Sequence, residues 1–123
     1  MALDRDYTIE FPLIRKQPDL PIANSEGVTG PIHGNKHGYA ITDFSPFPFS
    51  ISVDLDGCIT NVPFSWTIRH SGAKAWVREK VSFMPQNVRI WSVDHIISPE
   101  VFCRVQLKPG ESMSWTRTWE FGR

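Results

Sequence analysis

Hydrophobic and polar residues alternate with a period of two along much of the second half of the chain. Apolar residues alternate with serine and aspartate over 49–55, and with polar residues again over 64–69. This period is typical of half-buried strands, whereas an amphipathic helix would repeat every 3.6 residues. Further strands are predicted at 88–93 and at 73–83, where four charged side chains are expected to face water: Lys74, Arg78, Glu79 and Lys80.

The last two predicted strands, 101–107 and 112–121, are separated by Pro109-Gly110 and are expected to form a hairpin around that turn. In the first half of the chain, proline and glycine occur too often for a long helix. One short strand is predicted within 7–14, and the stretch 23–38 is expected to be a long loop. Loops of this length in compact domains are often functional.

These patterns predict an all-β protein: a single-domain antiparallel β-sandwich or barrel over residues 1–123. Residues 1–48 form an irregular N-terminal region with a long Gly/Pro-rich loop, and residues 49–123 form regular antiparallel strands. Turn signals about 8–12 residues apart favour either architecture. At 123 residues the chain is long enough to bury a core without disulfide bonds.

Composition narrows the classes of partner. The formal net charge is zero and the basic residues are scattered, so no basic stripe for nucleic acid is present. No apolar run approaches the roughly 20 residues that cross a bilayer, and the first residues lack the apolar core of a signal peptide. We therefore expect a cytoplasmic protein without nucleic-acid or membrane partners. Cys58 and Cys103 are expected to be reduced, with Cys103 buried on the strand of Val101.

The final segment contains the most distinctive side chains. On a strand, residues two apart share a face, so Met113, Trp115, Arg117, Trp119 and Phe121 are predicted to lie together. A guanidinium among apolar side chains needs a partner or water. Two interpretations remain open: Arg117 pairs with a carboxylate such as Glu79, Glu100 or Glu120, or it lines an aromatic ligand pocket.

Histidines and acids supply the candidate acid/base groups. His33 and His37 lie four residues apart in the Gly-rich loop GPIHGNKHG, and Asp94 and Glu100 flank a short apolar run. Imidazole titrates near neutrality, which suits general acid/base catalysis. A metal site would need a third ligand, and neither a Cys-x-x-Cys pair nor a paired histidine motif is present, so no metal or other cofactor is predicted.

The run from Trp91 to Phe121, WSVDHIISPEVFCRVQLKPGESMSWTRTWEF, resembles the C-terminal end of galactose mutarotase-like domains of the aldose 1-epimerase superfamily. Those domains often close with an acidic residue, a strand, a PGES-type turn and an aromatic-rich final strand. The resemblance covers about a quarter of the chain. It implies an antiparallel β-sandwich with a concave face for carbohydrate. It also implies acid/base chemistry between a histidine and a carboxylate, with Glu100 the carboxylate by position.

Three functions are therefore considered. The first is a small isomerase, cyclase or lyase without a cofactor, which binds a sugar-like or polycyclic ligand in an aromatic cavity. Its catalytic candidates are His33, His37, Glu100 and Asp94, and its substrate-binding candidates are Trp66, Trp115, Arg117 and Trp119. The second is a non-catalytic module that binds carbohydrate or another small ligand. The third is a structural interaction domain, with homodimer formation through an edge strand as one form of it.

Overall fold

The structure is a computed structural model. It describes residues 6–14, 21–23, 29–35, 38–41, 49–55, 58–93 and 96–123. The strands are β1 (Tyr7–Glu10), β2 (Pro21–Ala23), β3 (Thr29–Asn35), β4 (Gly38–Ile41), β5 (Phe49–Ser52), β6 (Phe64–His70), β7 (Ala75–Val81), β8 (Asn87–Val93), β9 (Ile96–Phe102) and β10 (Arg117–Gly122). Within these ranges no helix is present.

The strands form two open antiparallel sheets. The larger sheet has the order β10-β7-β6-β1-β4-β3-β2, and the smaller has the order β5-β8-β9. The prediction of an all-β fold with antiparallel strands is confirmed. Of its two architectures, the structure shows separate sheets and not a closed barrel.

One hydrophobic core lies between the two sheets. The larger sheet contributes buried side chains from β1, β4, β6 and β7, including Ile9, Tyr39 and Phe64. The smaller sheet contributes others, among them Val88 and Ile90, which are fully buried. Because side chains alternate along each strand, these residues define an inner face on each sheet. The outer face of the larger sheet carries ion pairs, such as Arg69 with Glu10 and Lys80 with Glu120.

Several local predictions are corrected by the sheet pairing. The segments 101–107 and 112–121 do not form a hairpin, because β9 pairs with β8 in the smaller sheet and β10 pairs with β7 in the larger one. The turn itself is present: Glu111 N–H donates to the Lys108 carbonyl at 3.1 Å, and Gly110 has a φ of +86°. A positive φ after proline is the type II turn geometry that glycine favours. The chain therefore turns locally while it passes between sheets.

Other corrections concern the ends and faces of strands. The predicted loop 23–38 contains β3, which pairs with β4. The predicted strand 112–121 begins only at Arg117, so Met113 and Trp115 precede it. Glu79 was expected to face water, yet it is only 3% exposed. Cys103 is half-buried and not buried, because β9 ends at Phe102.

Candidate functional site

Arg117 lies on the inner face of β10 and contacts both sheets. Its Nη1 is 3.4 Å from each carboxylate oxygen of Glu79 on β7. Its Nη2 donates a hydrogen bond of 2.7 Å to the backbone carbonyl of Val101, which belongs to the smaller sheet. The guanidinium carbon also lies 5.2 Å from the centre of the Phe83 ring. Arg117 thus links the two sheets at the edge where β9 and β10 approach each other.

Glu79 accepts a second hydrogen bond from the core. The indole Nε1 of Trp66, directly opposite in the sheet register, donates to Glu79 Oε1 at 3.1 Å. A buried carboxylate is tolerable when its charge is paired and its oxygens accept hydrogen bonds. The structure therefore shows the ion pair between Arg117 and Glu79, which was one of the two interpretations of this arginine.

Of the other three substrate-binding candidates, two are exposed and one is buried. Trp119 lies across from Glu79 in the register of β10 and β7, and it is 50% exposed. Trp115 precedes β10 and is also largely exposed. Trp66 is a core residue. Four aromatic and cationic candidates are thus divided between the core and the surface near the β10 edge.

The acid/base candidates are not joined by a described contact. Glu100 is exposed on β9, between the buried Pro99 and Val101, so it points away from the core that Arg117 borders. The backbone of His33 pairs with Ala40 in β3 and β4. His37 and Asp94 lie outside the described residues. Among the described residues, no group of three His, Cys, Asp or Glu side chains could hold a metal ion.

Cys58 shows no sign of being an activated nucleophile. Burial raises the pKa of its thiol, which lowers the fraction of reactive thiolate near neutral pH. Both cysteines are free.

A cavity of about 430 Å³ opens at the other end of the inner face, where β6 turns into β7. We call it the hairpin cavity. Its lining comes from β1, β6, β7, β10 and the connecting turn: Tyr7, Ile68, His70, Ala73, Ala75, Trp76, Val77 and Phe121. Strand register places Ile68, Val77 and Phe121 side by side across three strands. Phe121 is nevertheless 76% exposed, the largest value among the exposed large hydrophobic residues of the described chain.

Two polar side chains border this mostly apolar cavity. The rings of His70 and Tyr7 meet edge to face, with centroids 4.6 Å apart. Nδ1 of His70 accepts a hydrogen bond of 2.9 Å from the backbone N–H of Ala73. A neutral imidazole that accepts at Nδ1 carries its proton on Nε2. The turn therefore holds the orientation of the His70 ring at the cavity wall.

Sequence patterns missed this cavity because its residues are far apart in the chain. Tyr7, His70 and Phe121 meet only through the order β10-β7-β6-β1. One signal was available: Phe121 belongs to the aromatic final segment, and Ile68 and His70 continue the alternation of β6. No local spacing shows that these positions share one end of a sheet.

Comparison with known proteins finds no match: no family model, curated protein or solved structure is similar to this chain. The relationship to galactose mutarotase-like domains therefore stays a prediction. The part of the chain that the structure describes contains no apolar helix of the length that a bilayer crossing demands.

Proposed function

We propose that this chain is a non-catalytic small-molecule-binding β-sandwich protein, and that its hairpin cavity holds a flat, apolar ligand. The observation that carries the proposal is Phe121. This aromatic side chain is on the core-facing side of β10 but is 76% exposed beside an apolar cavity. Exposed apolar surface next to a concavity is typical of binding sites.

The size and the walls of the cavity support this class of ligand. A volume of about 430 Å³ is within the range of roughly 300–1,000 Å³ that small-molecule pockets occupy. Tyr7 and Phe121 offer aromatic surfaces on the core-facing side, and Trp76 borders the cavity from the outer face of β7. Aromatic rings prefer offset or edge-to-face contact with other rings. A planar ring system would make such contacts with several walls at once.

The same walls favour an apolar ligand over a sugar. A monosaccharide carries a hydroxyl on most of its carbons, and each hydroxyl loses free energy if it is buried without a hydrogen bond. The cavity side chains that carry polar atoms are those of Tyr7, His70 and Trp76. The enzyme hypothesis remains a prediction, since no described contact brings together the histidine and carboxylate that it needs.

The test is isothermal titration calorimetry with methyl 2-naphthoate, an uncharged bicyclic probe. We expect saturable binding to the wild-type protein and a loss of affinity of about tenfold or more in Phe121→Ala. The matched control is Phe102→Ala, which removes another exposed aromatic ring on the outer face of β9. The control should bind as the wild type does. Equal affinity of all three proteins, or no binding at all, would contradict the proposal.

A further inference from the structure

A second cavity, of about 420 Å³, lies at the same end of the β6–β7 hairpin and extends to the outer face of the larger sheet. Its walls are formed by Arg69, His70, Ser71, Lys74, Ala75, Trp76 and Arg123, of which His70, Ala75 and Trp76 also line the hairpin cavity. Trp76 pairs with Arg69 on β6 and with Gly122 on β10. Because neighbouring side chains on a strand point to opposite faces, Trp76 and Arg69 face away from the core-side positions of Ala75 and Val77. We call this second concavity the outer cavity.

The outer cavity is rich in positive charge. Arg69 is paired with Glu10 at 2.8 Å, so its charge is partly balanced. Lys74 and Arg123 are exposed, and neither forms an ion pair within the described part of the chain. The Asp6 carboxylate lies beside Gly72 of the connecting turn and offsets part of this charge. Two cations without an ion pair, beside a partly balanced third, still leave a local positive potential that attracts anions.

Trp76 gives the outer cavity a flat wall in a defined position. Gly122 lies opposite, and a Cβ atom at that position would be 2.4 Å from the indole ring. Glycine therefore leaves the space in which the ring covers the backbone of β10, an arrangement known to compensate for glycine in sheets. The guanidinium carbon of Arg78 lies 5.0 Å from the centre of the indole, which holds the ring further through a cation–π contact.

We infer that the outer cavity binds an aromatic anion, with its ring against the Trp76 indole and its carboxylate or phosphate group between Lys74 and Arg123. The combination of an aromatic surface and cationic side chains selects for both parts of such a molecule. A neutral ring would leave the cations unused, and an inorganic anion would make no use of the aromatic wall. The outer cavity shares His70, Ala75 and Trp76 with the hairpin cavity. Its cationic wall of Lys74 and Arg123 is its own, so this proposal does not depend on the function proposed for the hairpin cavity.

The test compares 2-naphthoate with its uncharged methyl ester in the Phe121→Ala variant, so that the hairpin cavity contributes little. At low salt we expect 2-naphthoate to bind about tenfold more tightly than the ester, and to lose that advantage as salt screens the exposed charges. In the variant that also carries Lys74→Gln and Arg123→Gln, the affinity for 2-naphthoate should fall about tenfold. The matched control replaces Lys108 and Arg104 by glutamine, two exposed cations on the 103–116 segment. This control should leave the affinity unchanged.

The two proposals fail in different ways. If the ester binds the wild type no better than it binds Phe121→Ala, while 2-naphthoate still depends on Lys74 and Arg123, only the hairpin cavity proposal is wrong. If 2-naphthoate and the ester bind equally, or the Lys74 and Arg123 substitutions have no effect, the outer cavity proposal is wrong. Replacing 2-naphthoate by 2-naphthyl phosphate distinguishes the two anions: the tighter ligand identifies the preferred group, and both must depend on Lys74 and Arg123.

Discussion

The two ends of the β6–β7 ladder use the same inner face of the larger sheet in different ways. At one end, Trp66 and Val81 are buried beneath the smaller sheet, and Glu79 is enclosed with them. We call this the covered end. At the other end, Val77 and Phe121 are paired across β7 and β10 on the same inner face. Here Phe121 is mostly exposed, and a cavity takes the place of packed side chains. We call this the open end.

The comparison shows that burial along these strands is decided by the opposing sheet. At the covered end, Arg117 reaches the Val101 carbonyl of the smaller sheet and the Glu79 carboxylate of its own. Every buried side-chain nitrogen and oxygen in the described chain has a hydrogen-bond partner. At the open end the alternation of apolar residues continues, so apolar surface remains available to a ligand.

The largest expected effect comes from removing the carboxylate at the covered end. Glu79→Ala leaves the Trp66 indole N–H without its acceptor and Arg117 without its counter-ion, at a cost of about 3 kcal/mol in unfolding free energy. Urea unfolding followed by circular dichroism measures this change. The control is Glu120→Ala, which removes the half-exposed partner of Arg78 and Lys80 on the outer face. Its cost should be below about 1 kcal/mol. Equal costs for the two variants would show that the covered end is not a buried ion pair.

The buried phenol of Tyr39 should make the unfolding free energy depend on pH. Burial, followed by the nearby Asp54 carboxylate, raises the pKa of Tyr39 to about 12. The unfolded phenol titrates near pH 10. Stability from this residue is therefore complete below about pH 10 and is lost as the pH rises toward 12, by up to about 3 kcal/mol. Unfolding free energies at pH 9 and pH 11.5 should differ less in Tyr39→Phe than in the wild type. An equal pH dependence in both proteins would contradict the assignment.

The smallest expected effect on stability belongs to the open end. Phe121→Ala removes a largely exposed ring, so the unfolding free energy should change by less than about 0.5 kcal/mol. Val81→Ala, at the covered end of the adjacent strand, removes a side chain that is 2% exposed and should cost about 2 kcal/mol. Thermal unfolding of both variants tests this contrast. A cost for Phe121→Ala as large as that for Val81→Ala would mean that the open end is part of the core.

Alternation predicted β5 and β6 well, because apolar residues of each strand are in the core and polar residues lie between them. It could not show which strands share a sheet. The Pro109-Gly110 turn is a correct local signal, yet the strands on either side of it belong to different sheets. Pairing between distant segments depends on the whole fold, so a turn that looks like a hairpin can also carry the chain across a sandwich.

The same limitation explains the errors about individual side chains. Glu79 lies in a charged segment that resembles an exposed strand, but the register places it opposite Trp66 on the inner face. In the Gly-rich stretch 23–38, the strand β3 was missed because glycine and proline are poor strand formers. Its pairing with β4 is a tertiary effect that local sequence does not show. The candidate site was missed for the same reason, since Tyr7 and Phe121 become neighbours of the hairpin only through sheet order.

The position of β1 has a consequence for how quickly the protein acquires its structure. This strand comes early in the chain, yet it lies in the interior of the larger sheet, between β6 and β4. Neither half of that sheet can join the other until β1 meets β6, across about 60 intervening residues. Closing so long a loop has an entropic cost, and β-proteins with distant pairings fold in milliseconds to seconds. We expect β1 docking to limit the refolding rate, so Ile9→Val should slow refolding in stopped-flow experiments more than it accelerates unfolding.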